Sequence, residues 1–126
     1  MNQDELKRRT KQFALRVMNL VDALSCTTTG RAIGGQLVRA GTSVGANYRA
    51  ACRGRSKAEF AAKLGTVAEE ADESCFWLEL IIEGCLINES LVKPLLDEAD
   101  ELTAIFTAAA KTSRLSNQQA KIENRK

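Results

Sequence analysis

Between Phe60 and Cys85, eight apolar or small residues recur in steps of 4-3-4-3-4-3-4: Phe60, Leu64, Val67, Ala71, Ser74, Leu78, Ile81 and Cys85. A half-buried strand needs a period of two. This alternation instead puts every member on one side of an α-helix, as a seam of the kind by which helices pack into bundles. The spacing predicts a helix from Lys57 to about Cys85, with its apolar side covered by the rest of a bundle.

Three more helices follow from the same period. From about Asp4 to Ser25, Leu6, Phe13, Val17, Leu20 and Leu24 form one apolar stripe, with Asp4 and Glu5 at the end where the helix dipole favours negative charge. Thr27-Thr28-Thr29-Gly30 reads as a turn. A second helix is predicted from near Gly30 to just before Gly54, burying Ile33, Leu37, Ala40 or Gly41, Val44, Tyr48 and Ala51. Gly34, Gly35, Gly41 and Gly45 each weaken it by up to about 1 kcal/mol relative to Ala, so tertiary packing against a closely approaching neighbour must hold it. The last helix is predicted from about Glu89 to Thr112, with Leu91, Leu95, Ala99, Leu102, Ile105, Phe106 and Ala109 inward and Pro94 in the first turn.

The connection between the second and third helices carries the sharpest local signals. Gly54 is expected at the C′ position with positive φ, and Ser56-Lys57-Ala58-Glu59 reads as a capping box. Together they predict a tight turn at Arg53–Arg55. The fold expected is all-α, an antiparallel up-and-down four-helix bundle over residues 1–115, followed by a polar, disordered tail over residues 116–126.

Pro94 is the single proline, and no apolar run approaches the ~18 residues of a membrane helix. No N-terminal secretory pattern appears, so a cytoplasmic chain with no membrane partner is expected. Cys26, Cys52, Cys75 and Cys85 lack paired spacing, and the chain has no histidine. They read as reduced, packed thiols; no metal site and no cofactor are expected.

The near-neutral net charge of +2 conceals a segregation. Residues 1–63 carry twelve Lys/Arg against four Asp/Glu, residues 64–113 two against eleven, and residues 114–126 four against one. On a helical wheel Arg31, Arg39, Arg49 and Arg53 fall within roughly 80° of one another, nearly opposite the Leu37, Val44 and Tyr48 face. Gln36, Ser43 and Asn47 form a polar stripe beside them, and Arg55 and Lys57 carry the basic line round the turn. On the first helix Lys7, Arg8 and Lys11 also point away from the core stripe.

Such a row has three readings: a phosphate-binding surface, a face that pairs with another subunit, and a solvated exterior. Arginine outnumbers lysine and no carboxylate interrupts the row, which favours phosphate contact through Arg39, Arg49, Arg53, Arg55 and Lys57. Subunit pairing has its own support. Glu69, Asp72, Glu73, Glu79 and Glu83 spread over the outer side of the third helix, with Phe76 and Trp77 among them. One of these aromatics is expected at a helix–helix edge and the other as the anchor of an oligomer interface.

An enzymatic reading is the most remote. Glu69-Glu70-Ala71-Asp72-Glu73 fits the E-E-x-x-E half of a Mg-dependent nucleotide pyrophosphohydrolase site, but the E-x-x-D partner is missing from the last helix. Without histidine, di-iron and Ser–His–Asp or Cys–His chemistry also fails. No catalytic residue is assigned.

The run Gln36-Leu37-Val38-Arg39-Ala40-Gly41-Thr42-Ser43-Val44-Gly45-Ala46-Asn47, then Arg55-Ser56-Lys57-Ala58-Glu59-Phe60, resembles the 23S rRNA intervening-sequence proteins. Lys63-Leu64, Glu69-Glu70-Ala71, Glu73 and Phe76-Trp77-Leu78 continue the resemblance, which is dense over Gln36–Ile82 and looser elsewhere. It implies a left-handed up-and-down bundle assembling as a homopentameric ring. More distantly, the chain is similar to the accessory variability proteins of diversity-generating retroelements, basic pentamers that bind nucleic acid and a reverse transcriptase. Arg39, Ser43 and Asn47 match positions of the family's second helix. Ala50 departs from the acidic residue of many relatives and leaves this helix more basic.

The expected protein is thus a non-enzymatic homopentamer that binds RNA or DNA without strong sequence preference. A protein-interaction scaffold, with basic and acidic faces paired between subunits, is the alternative.

Overall fold

The computed structural model describes residues 1–125 and contains four helices: α1 (Gln3–Asp22), α2 (Thr28–Cys52), α3 (Lys57–Glu83) and α4 (Glu89–Asn124). Each helix packs on the next in sequence, and α1 also meets α4, the least extensive of the four interfaces. Gly45 lies against Thr10, Gly41 against Val17 and Gly34 against Val21 and Leu24, while Cys75 meets Thr103 and Lys57 meets Asn117. The core comprises Phe13 and Val17 from α1, Leu37, Val44 and Tyr48 from α2, the Leu64–Ile81 seam of α3, and Val92, Leu102 and Phe106 from α4. Tyr48 and Phe106 stack at 5.1 Å with a 52° tilt. No described helix is long and apolar enough to cross a membrane.

Each start has a local cause. Asn2, Thr27, Ser56 and Asn88 cap the four helices by accepting from Glu5, Gly30, Glu59 and Ser90 amides, satisfying donors with no partner inside the helix. The capping box at Ser56 forms with one change: Glu59 reaches back to the amide of Arg55 (3.3 Å) instead of the cap's own. Two of the three threonines expected in a turn are helical, because Thr27 takes the capping position. At the other end α1 stops at Asp22, earlier than its apolar stripe suggests, and Ala23 and Leu24 tighten into i to i−3 bonds.

Two helix ends correct the sequence reading. Gly54 follows the cap of α2, but no glycine in the described chain has positive φ; a Cβ there would sit 3.0 Å from the Ala51 carbonyl oxygen. The left-handed residue is Cys85, at φ 56°, one position after Gly84. The amides of Cys85 and Leu86 bond to the Ile82 and Ile81 carbonyls, the paired bonds of a Schellman motif. Cys85 is therefore an exposed residue of the turn, not the end of the core seam.

α4 departs most from expectation. Leu91 is 68% exposed, and its neighbour Val92 is fully buried in its place. Pro94 lies beyond the first turn, on the exposed side, where it removes the donor that the Ser90 carbonyl would otherwise receive. The helix continues to Asn124 instead of ending near Thr112, through the tail expected to be disordered. No proline or glycine follows Pro94 to break it, and Asn117 Nδ2 donates to the Lys57 carbonyl at 3.0 Å, tying the extension to the start of α3.

Candidate nucleic-acid interface

Glycines set how closely α2 approaches α1, and so which side of α2 is left outward. A Cβ on Gly41 would lie 2.8 and 2.9 Å from the two Val17 methyls, and one on Gly45 would lie 3.3–3.4 Å from Thr10, including its backbone. Gly35 faces open space. With α1 seated on the glycine side and α3 on another, the arginine row occupies the remaining surface. Ser43 and Asn47, beside it, bond back to the Arg39 and Ser43 carbonyls of their own helix.

The row itself divides. Arg39 lies at the α2–α3 edge, where it pairs with Glu70 at 3.2 Å and with Glu73. Glu73 also accepts from Trp77 Nε1 at 3.0 Å, so the side chains of two helices form one polar cluster. The Trp77 hydrogen bond, then Arg39, hold the Glu73 carboxyl below the usual carboxylate range, and Glu73 in turn holds the Arg39 guanidinium in its charged form. Arg31 donates to the Cys26 carbonyl at 3.0 Å. Arg49, Arg53, Arg55 and Lys57 are exposed, and none of them makes an ion pair among the described residues. Of the five residues read as phosphate-binding, Arg39 is neutralised by α3 carboxylates, and the other four have no ion-pair partner among the described residues.

Phe76 and Trp77 also separate. Trp77 is half-buried at the α2–α3 edge, whereas Phe76 is 51% exposed, edge-on to the indole at 5.0 Å. On α1, Arg8 and Lys11 are exposed and Lys7 is half-buried; Arg9, which the helical wheel did not single out, turns instead to Glu98 and Glu101 of α4.

The extension of α4 adds basic residues that sequence reasoning places in a loose tail. Arg114, Asn117 and Lys121 line a shallow groove with Ala58, Ala61 and Ala62 of α3, beside Lys57. The unbroken run after Pro94 is the signal that could have found them. Gln3 joins the same end, lining a surface recess with Arg55 and Lys57.

Charge is thereby segregated along the bundle as well as between helices. Residues 3–12, 46–66 and 107–125, which gather toward this end, carry thirteen Lys/Arg and four Asp/Glu. Residues 13–45 and 67–106 carry four Lys/Arg and twelve Asp/Glu. Like charges so concentrated raise the local concentration of counter-ions and of any polyanion.

The acidic half does not gather its carboxylates into a site. No three His, Cys, Asp or Glu side chains converge to hold a metal among the described residues. Glu98 and Glu101 are engaged by Arg9. Cys75 is buried beside Thr103 (3.7 Å), and burial pushes its thiol up to about 12, far from the thiolate that nucleophilic chemistry needs.

Comparison with known proteins agrees with this architecture. No curated protein matches the chain. A crystal structure of a protein of unknown function from the S23 ribosomal protein family of Bacteroides thetaiotaomicron superposes with a TM-score of 0.80. It shares 31% identity and covers 88% of this chain and 99% of its own. The family model described as 23S rRNA-intervening sequence protein matches residues 3–108, and the chain belongs to that family.

Proposed function

We propose that this protein is a non-enzymatic, nucleic-acid-binding four-helix bundle that contacts phosphates through Arg49, Arg53, Arg55 and Lys57. The observation that carries this reading is the state of those four side chains: exposed, adjacent across one turn, and unpaired among the described residues. Guanidinium forks pair bidentately with phosphate oxygens, and contacts confined to the backbone carry no direct sequence information. Binding is accordingly tolerant of sequence, to RNA or DNA.

The working form is an antiparallel up-and-down bundle, as the contacts of Gly45 with Thr10, Gly34 with Val21 and Lys57 with Asn117 support, assembled as a cytoplasmic homopentamer, as the family resemblance implies. Phe76, half-exposed among carboxylates, is the anchor proposed for the subunit contact. The same feature favours the second reading, a scaffold in which the acidic α3 face of one copy covers the basic face of the next. The pyrophosphohydrolase reading gains no support from carboxylates that do not converge.

Fluorescence anisotropy across a salt series tests the proposal, with wild type beside the triple variant Arg49→Gln, Arg53→Gln, Arg55→Gln. Affinity is expected to fall at least tenfold in the variant while light scattering shows the same oligomer. A variant that dissociates, or a wild type that binds nothing at low salt, supports the scaffold instead.

A further inference from the structure

We infer that the nucleic acid is a duplex, gripped by the basic end of the bundle with the final turns of α4 as one jaw. This rests on the nucleic-acid reading above and specifies its substrate class.

The first observation is where the aromatic side chains lie. Proteins that hold single strands combine basic grooves with aromatic platforms on which bases stack. Phe13, Tyr48 and Phe106 are buried in the core, and Phe60, which lines the recess with Arg55 and Lys57, is half-buried and packed against that core. Phe76 and Trp77 lie within the acidic stretch of α3, between Glu73 and Glu79. The basic end therefore offers many cations but a single half-buried ring, Phe60, and no series of exposed aromatics on which successive bases could stack. A ligand held by phosphates alone is favoured when its phosphates are dense, and a duplex carries one charge per about 1.7 Å of axis.

The second observation is the α4 extension. Arg114, Lys121 and Arg125 lie on or at the end of a helix that Asn117 ties to the start of α3. From Asn117 to Asn124 that helix runs on for about 10 Å at 1.5 Å per residue. Arg114 and Lys121 line a groove with Ala58, Ala61 and Ala62, the residues of α3 that follow Lys57 and the turn bearing Arg53 and Arg55. Cations on separate elements can meet phosphates on two sides of a rigid duplex, where a single stripe would follow one strand.

The test uses the full chain with a 20-base-pair duplex and with oligo-dT and oligo-U of equal length, in anisotropy titrations over a salt series. The duplex is expected to bind at least tenfold tighter. The variant Arg114→Gln, Lys121→Gln, Arg125→Gln should lower the log–log salt slope on the duplex by about two to three, since each phosphate left unneutralised removes close to one. Circular dichroism of the variant should be unchanged; the milder single variant Lys121→Gln, expected to lower the slope by about one, serves if it is not. Equal or tighter binding of the single strands overturns the duplex inference and leaves the binding proposal standing. An unchanged slope in the folded variants overturns the role of α4. Absence of binding to any probe overturns both, and salt-reversible self-association in that case assigns the basic end to the acidic half of another copy.

Discussion

Arg9 of α1 closes the bundle on Glu98 of α4 through two parallel hydrogen bonds, Nε to Oε2 at 2.8 Å and Nη2 to Oε1 at 2.7 Å. Glu101 adds a third contact at 2.8 Å. The fork spans the sparsest of the helix interfaces, with both side chains largely shielded from water, at 23% and 17% exposure. Arg9→Ala should therefore destabilise the fold by about 1–3 kcal/mol, the range for charge-assisted hydrogen bonds. Arg9→Lys should recover only part of this, because an ammonium cannot reproduce the fork. Urea unfolding, with a double-mutant cycle through Glu98→Gln, measures the coupling; additive effects would show that the fork contributes nothing.

Gly41 and Gly35 should respond oppositely to alanine. At Gly41 the new methyl meets a β-branched side chain with little freedom, and overpacking of about 1–3 kcal/mol should outweigh the helix-propensity gain of about 1. Val17→Ala should rescue it. At Gly35 nothing lies within 4 Å, so the gain of about 0.5–1 kcal/mol should appear undiminished in thermal unfolding. A loss of stability or of assembly at Gly35→Ala would instead place a neighbouring chain on that face.

Cys85→Gly should stabilise the protein by about 0.5–1 kcal/mol. The thiol is exposed and its backbone is left-handed, a conformation that costs an L-residue roughly 1–2 kcal/mol and glycine little. Denaturant midpoints decide it; a destabilised variant would mean that the cysteine side chain contributes more than its backbone costs.

Arg39→Gln should separate stability from binding. The variant should lose the α2–α3 edge cluster yet change nucleic-acid affinity less than about twofold, against tenfold for the free arginines. Its pH dependence follows from Glu73, whose carboxyl is depressed in the folded state by Trp77 and Arg39. Stability from a depressed carboxylate is present above the unfolded value, about 4.3, and is lost as pH falls through the folded one. The stability difference between wild type and variant should thus be widest near neutrality and shrink below about pH 4. A difference that persists in acid would assign the effect to packing of the Arg39 stem.

Local chemistry and periodicity determined the four helices, the Ser56 cap and most of the core, because each apolar stripe of 3.6-residue period must be covered, and a sequence with four such stripes and no strand pattern can cover them only with one another. The glycines of α2 announced a close neighbour, and three of them, Gly34, Gly41 and Gly45, meet α1 or the residues that follow it. Tertiary structure decided what periodicity leaves degenerate. Leu91 and Val92 are adjacent and both apolar, and only the seating of α4 on its neighbours chose which to bury. Likewise the wheel placed Arg39 in one row with Arg49 and Arg53, and only the position of α3 showed that its charge is answered by Glu70 and Glu73. The basic end had the same origin. Its residues are far apart in the chain, and Asn117 brings the last of them to Lys57 by a bond between positions sixty residues apart, which no local pattern encodes.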